Sequence, residues 1–444
     1  MSRAERRERG RAERKRVPRR ALGALVPAAD RPDPLDLVAE QNRSRLPTIV
    51  PMRWGRMAQS PFGWLRGSPV VMTADLAGTP TTSLTVQLCG DAHLLNFGLY
   101  AAPDRRQVFD LNDFDETLEG PFEWDVKRLA ASAVVAAGTV GFDHDVACRA
   151  ARSVATAYRT RMAAYAVMPV LDVWYERIDV DEAVAVVRPE RRRTLERPAE
   201  RGRAQSSMSV LPKLAEVTGS GRRIRDRPPL VQRLTDPDHI RAVAGLVDRY
   251  RASLDDDLRP LVDRFELVDL ALKVVGVGSV GTRCFVALLY ADGSDDDPLF
   301  LQVKEAQASV LEPHLDPSPY PSSGQRVVTG QRMVQAAGDI LLGWFDALGR
   351  SYYVRQLRDH KASIDLRVIA PEPFVRYCGL CGWVLARAHA RTGDPAVIGG
   401  YLGRGTVFDD AIAAFAADYA AVAAADHAHL VAAIEAGEIT ADDC

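Results

Sequence analysis

The stretch Leu272-Lys273-Val274-Val275-Gly276-Val277-Gly278-Ser279-Val280-Gly281 restricts the possible folds more than any other part of this 444-residue chain. A β-type run enters a G-x-G-x-x-G turn, a spacing that lets backbone amides approach phosphate oxygens with no Cβ in the way. The pattern serves two architectures, one in which a helix starts right after the glycines and one in which a second strand follows. Here Thr282 to Tyr290 is aromatic and β-branched, a turn with Asp292-Gly293 follows, and Leu299-Phe300-Leu301-Gln302-Val303-Lys304 is a second apolar run. The order predicts a β-hairpin with Lys304 at its far end. A plain hairpin whose glycines serve packing is the competing reading.

A glycine loop inside a sheet, with a lysine ending the next strand, is the arrangement of kinases. Gly276, Gly278 and Gly281 are then nucleotide-binding, and Lys304 reaches the α- and β-phosphates. Its expected partner is a carboxylate on a following helix, Glu312 before Glu305. A dinucleotide-binding turn would instead need a helix N-terminus after Gly281.

Upstream, Asp91 and Asn96 stand in D-x-x-x-x-N spacing, and Asp113 heads Asp-Phe-Asp at the end of a second short strand. Phosphoryl transfer needs one carboxylate to orient a hydroxyl and accept its proton, and oxygen ligands to hold Mg²⁺ against the phosphates. Asp91 is the expected catalytic base, with Asn96 and Asp113 as metal ligands. His93 and Asp115 are possible supporting residues. Any one Asp is more often a turn or cap residue, so the weight lies on the ordered pair of elements.

Those residues carry a resemblance. Gly90-Asp91-Ala92-His93-Leu94-Leu95-Asn96-Phe97 is similar to the G-D-x-H-x-x-N loop of aminoglycoside phosphotransferases and choline kinases. Leu111-Asn112-Asp113-Phe114-Asp115 resembles their I-D-F-D metal motif, and Trp124-Asp125-Val126-Lys127-Arg128-Leu129 their W-D-L-A-R-L stretch. Nearly the whole chain also resembles an uncharacterised bacterial family, domain of unknown function 2252. Its hallmarks here are Cys89–Gly98, Phe109–Glu116, Lys273–Arg283, Leu301–Ala306, Gly330–Gln335 and Tyr353–Lys361.

In ordinary kinases the glycine loop precedes the catalytic loop, whereas here it follows by about 180 residues. The expected fold is therefore α+β, protein-kinase-like, with two lobes in circularly permuted order. Residues 36–262 are expected as a helical lobe with the catalytic and metal loops, 263–361 as a β-rich nucleotide-binding lobe, and 362–444 as helices returning to the first. Strands are expected at 270–275, 283–290, 299–304, 341–345 and 352–357, and helices at 238–256, 325–337, 375–390 and 408–436. Val375–Ala390 resembles the helix that precedes a catalytic loop, and 350–357 the strand into a hinge.

Composition decides the remainder. Residues 1–20 carry ten Arg/Lys against three Glu, a local +7 that leaves −9 on the rest of a chain of net charge −2. No aromatics interleave with these charges, so a disordered, solvated tail over 1–35 is favoured over a nucleic-acid-binding one. The Arg-rich segment 188–228 reads as a long loop, with a lid over the cleft as its functional alternative. Six scattered cysteines fit a reducing compartment, hence a cytoplasmic protein. Cys378-Gly379-Leu380-Cys381 lacks a second pair and reads as core, and His360 and His389 as structural. No apolar run is long enough for a membrane span.

The function expected is an ATP- and Mg²⁺-dependent phosphotransferase acting on a small hydroxyl-bearing acceptor, with neither membrane nor nucleic acid as partner. A nucleotide-binding regulator without catalysis (a pseudokinase) and a dinucleotide-dependent oxidoreductase are the alternatives.

Overall fold

The computed structural model describes residues 1–25, 30–187, 214–218, 221–234, 246–274, 276–291, 293, 297–357 and 364–442. The arginines of 188–213, the first part of the helix expected at 238–256, most of the turn at 291–297, His360 and Cys444 lie outside the described residues.

The chain is a mixed α+β structure. Its helices are α1 (Arg3–Arg16), α2 (Pro34–Asn42), α3 (Val50–Ala58), α4 (Pro61–Gly67), α5 (Pro69–Ala77), α6 (Phe122–Thr139), α7 (His144–Tyr165), α8 (Val170–Tyr175), α9 (Val180–Val187), α10 (Arg259–Val262), α11 (Ser323–Val334), α12 (Pro371–Thr392), α13 (Pro395–Leu402) and α14 (Val407–Glu435). Two small antiparallel pairs lie among them: β1 (Thr85–Leu88) with β4 (Leu118–Pro121), and β2 (Phe97–Ala101) with β3 (Gln107–Leu111). The alanine- and glycine-rich sequence lets these helices approach closely. A Cβ on Gly382 of α12 would stand 2.4 Å from the Val154 carbonyl of α7.

The second part is a six-stranded antiparallel sheet in the order β11-β12-β10-β9-β8-β7. Its strands are β7 (Val231–Arg233), β8 (Phe265–Lys273), β9 (Cys284–Ala291), β10 (Pro298–Ala306), β11 (Gly343–Ala347) and β12 (Arg350–Gln356), with α11 between β10 and β11. The expected strands and the helix after Lys304 are thus present, shifted by a few residues at their ends. Side chains alternate across β10. Leu299 and Leu301 join a core with Tyr250, Leu254 and Val262, while Phe300 joins Val286, Leu288 and Ile224 on the opposite face. Lys304, in phase with Phe300, pairs in register with Cys284 on one side and Tyr353 on the other.

The sheet part begins earlier than residue 263. Within the segment expected as a loop, β5 (Ala215–Thr218) and β6 (Gly221–Ile224) form a hairpin on the sheet, and β7 is its edge strand. Residues 246–252 are helical and cover the other face, where the Tyr250 hydroxyl donates to Leu341 O at 2.6 Å and Trp344 N donates to Ser253 Oγ at 2.9 Å. The apolar faces of β8–β10 need covering on both sides, and the preceding chain supplies the cover.

The N-terminal segment is also a correction. Instead of a disordered tail, residues 3–16 form α1, opened by a capping box between Ser2 and Glu5. Arg14 Nε donates to Tyr401 O at 2.8 Å and Arg19 Nη1 to Leu402 O at 2.6 Å, satisfying carbonyls at the C-terminal end of α13 that have no intrahelical partner. Gly10 makes the docking possible, because a Cβ there would lie 1.8 Å from Val397 O. Arginines that read as solvated charge are in part helix-end ligands. Gly10→Val is expected to lever α1 off α13, lowering stability by about 1–3 kcal/mol; thermal melting and trypsin cleavage within 1–20 read it, and unchanged cleavage contradicts the docking.

Candidate active site

The Asp91 loop is held by backbone. Cys89 N and Gly90 N donate to the Asp125 carboxylate at 2.8 and 3.1 Å, and His389 Nε2 stands 3.3 Å from the same group. Gly90 has φ +81°, and a Cβ on it would fall 2.3 Å from Glu116 O, so the position admits only glycine. His93 N donates back to Asp91 O at 2.8 Å, and Asn96 Nδ2 donates to the same oxygen at 2.6 Å. Asn112 N donates to Asn96 O at 2.8 Å, which ties the start of the Asp113 loop to the end of the Asp91 loop.

Against these loops the sheet presents Lys304. Its ammonium donates to Asp115 Oδ2 at 2.7 Å and lies 3.7 Å from Asp113 Oδ1. The lysine side chain is 2 % exposed, those of Asp113 and Asp115 36 % and 27 %. Tyr353 OH, from the strand beside Lys304, donates to Asp115 Oδ1 at 2.6 Å, and Ser279 Oγ to Oδ2 at 3.0 Å. Burial disfavours the Lys304 charge, but the facing Asp113 and Asp115 outweigh it and hold the ammonium well above its ordinary pKa. Burial likewise opposes ionisation of Asp115, yet Lys304 and Tyr353 bring its carboxyl down to about 2.

Asp91 is paired from within the helical part. Arg128 Nε donates to Asp91 Oδ1 at 2.5 Å, and its Nη2 to Leu65 O at 2.9 Å. Burial lifts the Asp91 carboxyl above the usual range, and Arg128 offsets part of that. Asp91 Oδ2 is left facing His93 Nε2 at 3.8 Å. His93 is buried and held neutral by desolvation, and its Nδ1 accepts from Leu95 N at 3.2 Å, so it braces the loop.

The glycine stretch turns through one 3₁₀ segment, Val277–Ser279, and passes into β9. A strand follows, not a helix, which removes the geometry a dinucleotide-binding turn needs. Only Gly281, at φ +86°, is required by conformation; a Cβ on Gly276 would meet nothing within 4 Å. The amides of Ser279 and Val280 donate within the turn.

The structure therefore brings together Asp91, Asn96, His93, Asp113, Asp115, Lys304 and the glycine turn. It does not bring Glu312 to Lys304. Glu312 accepts from Ser309 N at 3.1 Å and lies 3.8 Å from Arg326 Nε. Helix α11 contains no acidic residue, and its Arg326 instead donates to the carbonyls of Asp115, Thr117 and Gln307. Glu305 points to the other face of β10, where Arg283 and Arg350 hold it. Ser279 and Tyr353 carry no sequence signal as site residues, whereas Arg128 does. Asp125 and Arg128 lie three apart on α6, on one helical face, so the W-D-x-x-R spacing carried the signal for both.

Asp113 Oδ1 is buried without a hydrogen-bond partner. Among the described residues no three His, Cys, Asp or Glu side chains form a metal cluster by themselves. Mg²⁺ asks for less, since one or two protein oxygens suffice beside water and phosphate. An all-oxygen pair, Asp113 with Asn96, fits that demand. Cys378 and Cys381 lie buried in α12 and are core residues, as expected. No disulfide joins the described cysteines, and no described helix is long and apolar enough to cross a membrane.

The fold and this site define a mixed α+β protein in which a lysine-bearing antiparallel sheet closes on carboxylates held by a helical part. The chain belongs to the family described as "uncharacterized protein conserved in bacteria (DUF2252)", whose model matches residues 45–433. No curated protein and no solved structure gave a match.

Lys304→Met keeps the stem but leaves Asp115 with neutral partners. A loss of about 3 kcal/mol at pH 7 is expected in urea denaturation. In the native protein the Asp115 contribution is complete above its unfolded pKa and disappears as pH falls through about 2. In the variant acid neutralises Asp115 earlier, so the stability gap narrows toward low pH; a gap independent of pH contradicts the pairing.

Proposed function

We propose that the chain is an ATP- and Mg²⁺-dependent phosphotransferase with a protein-kinase-like arrangement, its two lobes permuted in sequence, acting on a small hydroxyl-bearing acceptor. The observation that carries this is the contact of the Lys304 ammonium with Asp115 and Asp113, residues some 190 positions away. The helix α11 after the lysine strand, followed by β11 and β12, also matches the order the reading requires.

In this reading Lys304 contacts the nucleotide phosphates, and Asn96 and Asp113 hold Mg²⁺. Mg²⁺ held there would supply positive charge against the phosphate oxygens. Asp91 Oδ2 is the oxygen that orients the acceptor hydroxyl and takes its proton, because Oδ1 is occupied by Arg128. Asp125 sets the height of the Asp91 loop, and His93 stiffens it. The acceptor hydroxyl approaches a site where burial already raises the basicity of Asp91.

One observation favours a second reading. The Arg128 ion pair that orients Asp91 also lowers its basicity, as suits a regulator that binds nucleotide without turning it over. The test uses purified full-length protein. Mg·ATP is expected to raise the melting temperature and NAD(P) to leave it unchanged. Asp91→Asn is expected to cut Mg²⁺-dependent ATP turnover by about 10²-fold or more while the Kd for Mg·ATP stays within about 3-fold. Turnover unchanged in Asp91→Asn leaves the regulator reading in place; stabilisation by NAD(P) alone ends both.

A further inference from the structure

Most buried arginines around the cleft have acceptors. Arg45 donates to Val280 O, Arg53 to Gly67 O, Arg128 to Asp91 and Leu65 O, Arg326 to three carbonyls, and Arg355 to Gln302 and Asn112 O. Arg66, on α4, differs. Among the described residues its guanidinium makes no hydrogen bond and no ion pair, and its Nε is buried without a partner. Its guanidinium carbon lies over the Phe62 ring, 5.8 Å from the centroid. Arg66 as a whole is half-buried, but its Nε is shut away from water, and a donor left so is costly unless an acceptor reaches it.

The position of Arg66 says which ligand. Its carbonyl lies 3.5 Å from the place of a Cβ on Gly278, so the glycine turn is seated on α4. Phe62 meets the ring of His93 edge-on at 6.3 Å, which joins α4 to the Asp91 loop. Arg66 therefore sits between the glycine turn and the catalytic loop. Burial lowers its pKa, and Asp91 and Asp113 offset only part of that, without either forming an ion pair with it. Two under-satisfied groups of opposite sign then lie near one another: Asp113 Oδ1, which accepts no hydrogen bond and has only the Lys304 ammonium at 3.7 Å, and Arg66 Nε, which has no acceptor. A metal-bound phosphate completes both at once.

We propose that Arg66 is the oxyanion-binding residue of this cleft, completing its hydrogen bonds with the terminal phosphate of the nucleotide or with an anionic group of the acceptor. The assignment rests on the phosphotransferase reading but makes a separate demand, that an oxyanion bind at Arg66 whether or not transfer follows. The planar fork suits phosphate oxygens better than a point charge does.

The test titrates full-length protein by calorimetry with Mg·ATP, Mg·ADP and inorganic pyrophosphate, in the native sequence, Arg66→Gln and Arg66→Lys. Unliganded melting curves check that each variant folds. If the oxyanion is the terminal phosphate, Arg66→Gln weakens Mg·ATP by about 10- to 100-fold and Mg·ADP by less than about 3-fold, with Arg66→Lys between. If it belongs to the acceptor side, both nucleotides bind as before and pyrophosphate alone loses about 10-fold or more. Binding of pyrophosphate through Arg66 with no nucleotide binding upholds the anion site and defeats the phosphotransferase reading. Native affinity for all three probes in both variants, or no binding of any probe to the native protein, overturns the assignment.

Discussion

Lys304 is almost wholly withdrawn from water, and its charge persists there because Asp115 and Asp113 face it. Desolvating an ammonium costs several kcal/mol unless a partner with good geometry offsets it. That requirement couples the two parts of the molecule. The sheet cannot settle in another orientation without stranding the lysine, and the Asp113 loop cannot turn away without stranding Asp115. Tyr353 and Ser279, both from the sheet part, converge on the same carboxylate, so one side chain of the helical part receives three donors from the other.

Behind this contact the helical part is braced by further buried charges, each with a partner. Asp125 takes the amides of Cys89 and Gly90, and Arg387 pairs with Asp110 at the foot of β3 while its Nη1 reaches Val334 O. Such pairs are weak evidence for stability but strong constraints on geometry, because losing one member leaves a bare charge in the core. Lys127 shows the limit of the pattern. It is buried, donates to Thr79 Oγ1 at 3.0 Å and lies over the Phe415 ring, with its pKa pushed down to about 8 by desolvation.

The strands around the glycine stretch were legible because alternation and turn chemistry are local signals, and the β9–β10 hairpin with Lys304 near its end follows from them. The convergence of Asp91, Asn96 and Asp113 was legible because the chemistry expected of them dictates spacing. Glu312 is not the partner for a physical reason: a carboxylate on the helix after the lysine strand is the expected one, whereas α11 carries none and turns Arg326 inward, and Asp115 arrives from the other part. Contacts of that range leave no periodic trace. The N-terminal arginines misled in a similar way, since a helix-end ligand and a solvated charge have the same composition. Tyr353 and Ser279 gave no signal, being an aromatic in a strand and a serine in a turn.

The Asp91 and Asp113 loops are fastened to one another through Asn96, Asn112 and the contact of Gly90 with Glu116, all within the helical part. The carboxylate frame is thus braced from within one part of the molecule, and the sheet part meets it from the other side. The three described hydrogen bonds to the Asp115 carboxylate all come from the sheet part, which makes Asp115 the joint between the two parts. Neutralising that single carboxylate would withdraw the shared acceptor of Lys304, Tyr353 and Ser279 together, so the fit of one part against the other hangs on one side chain.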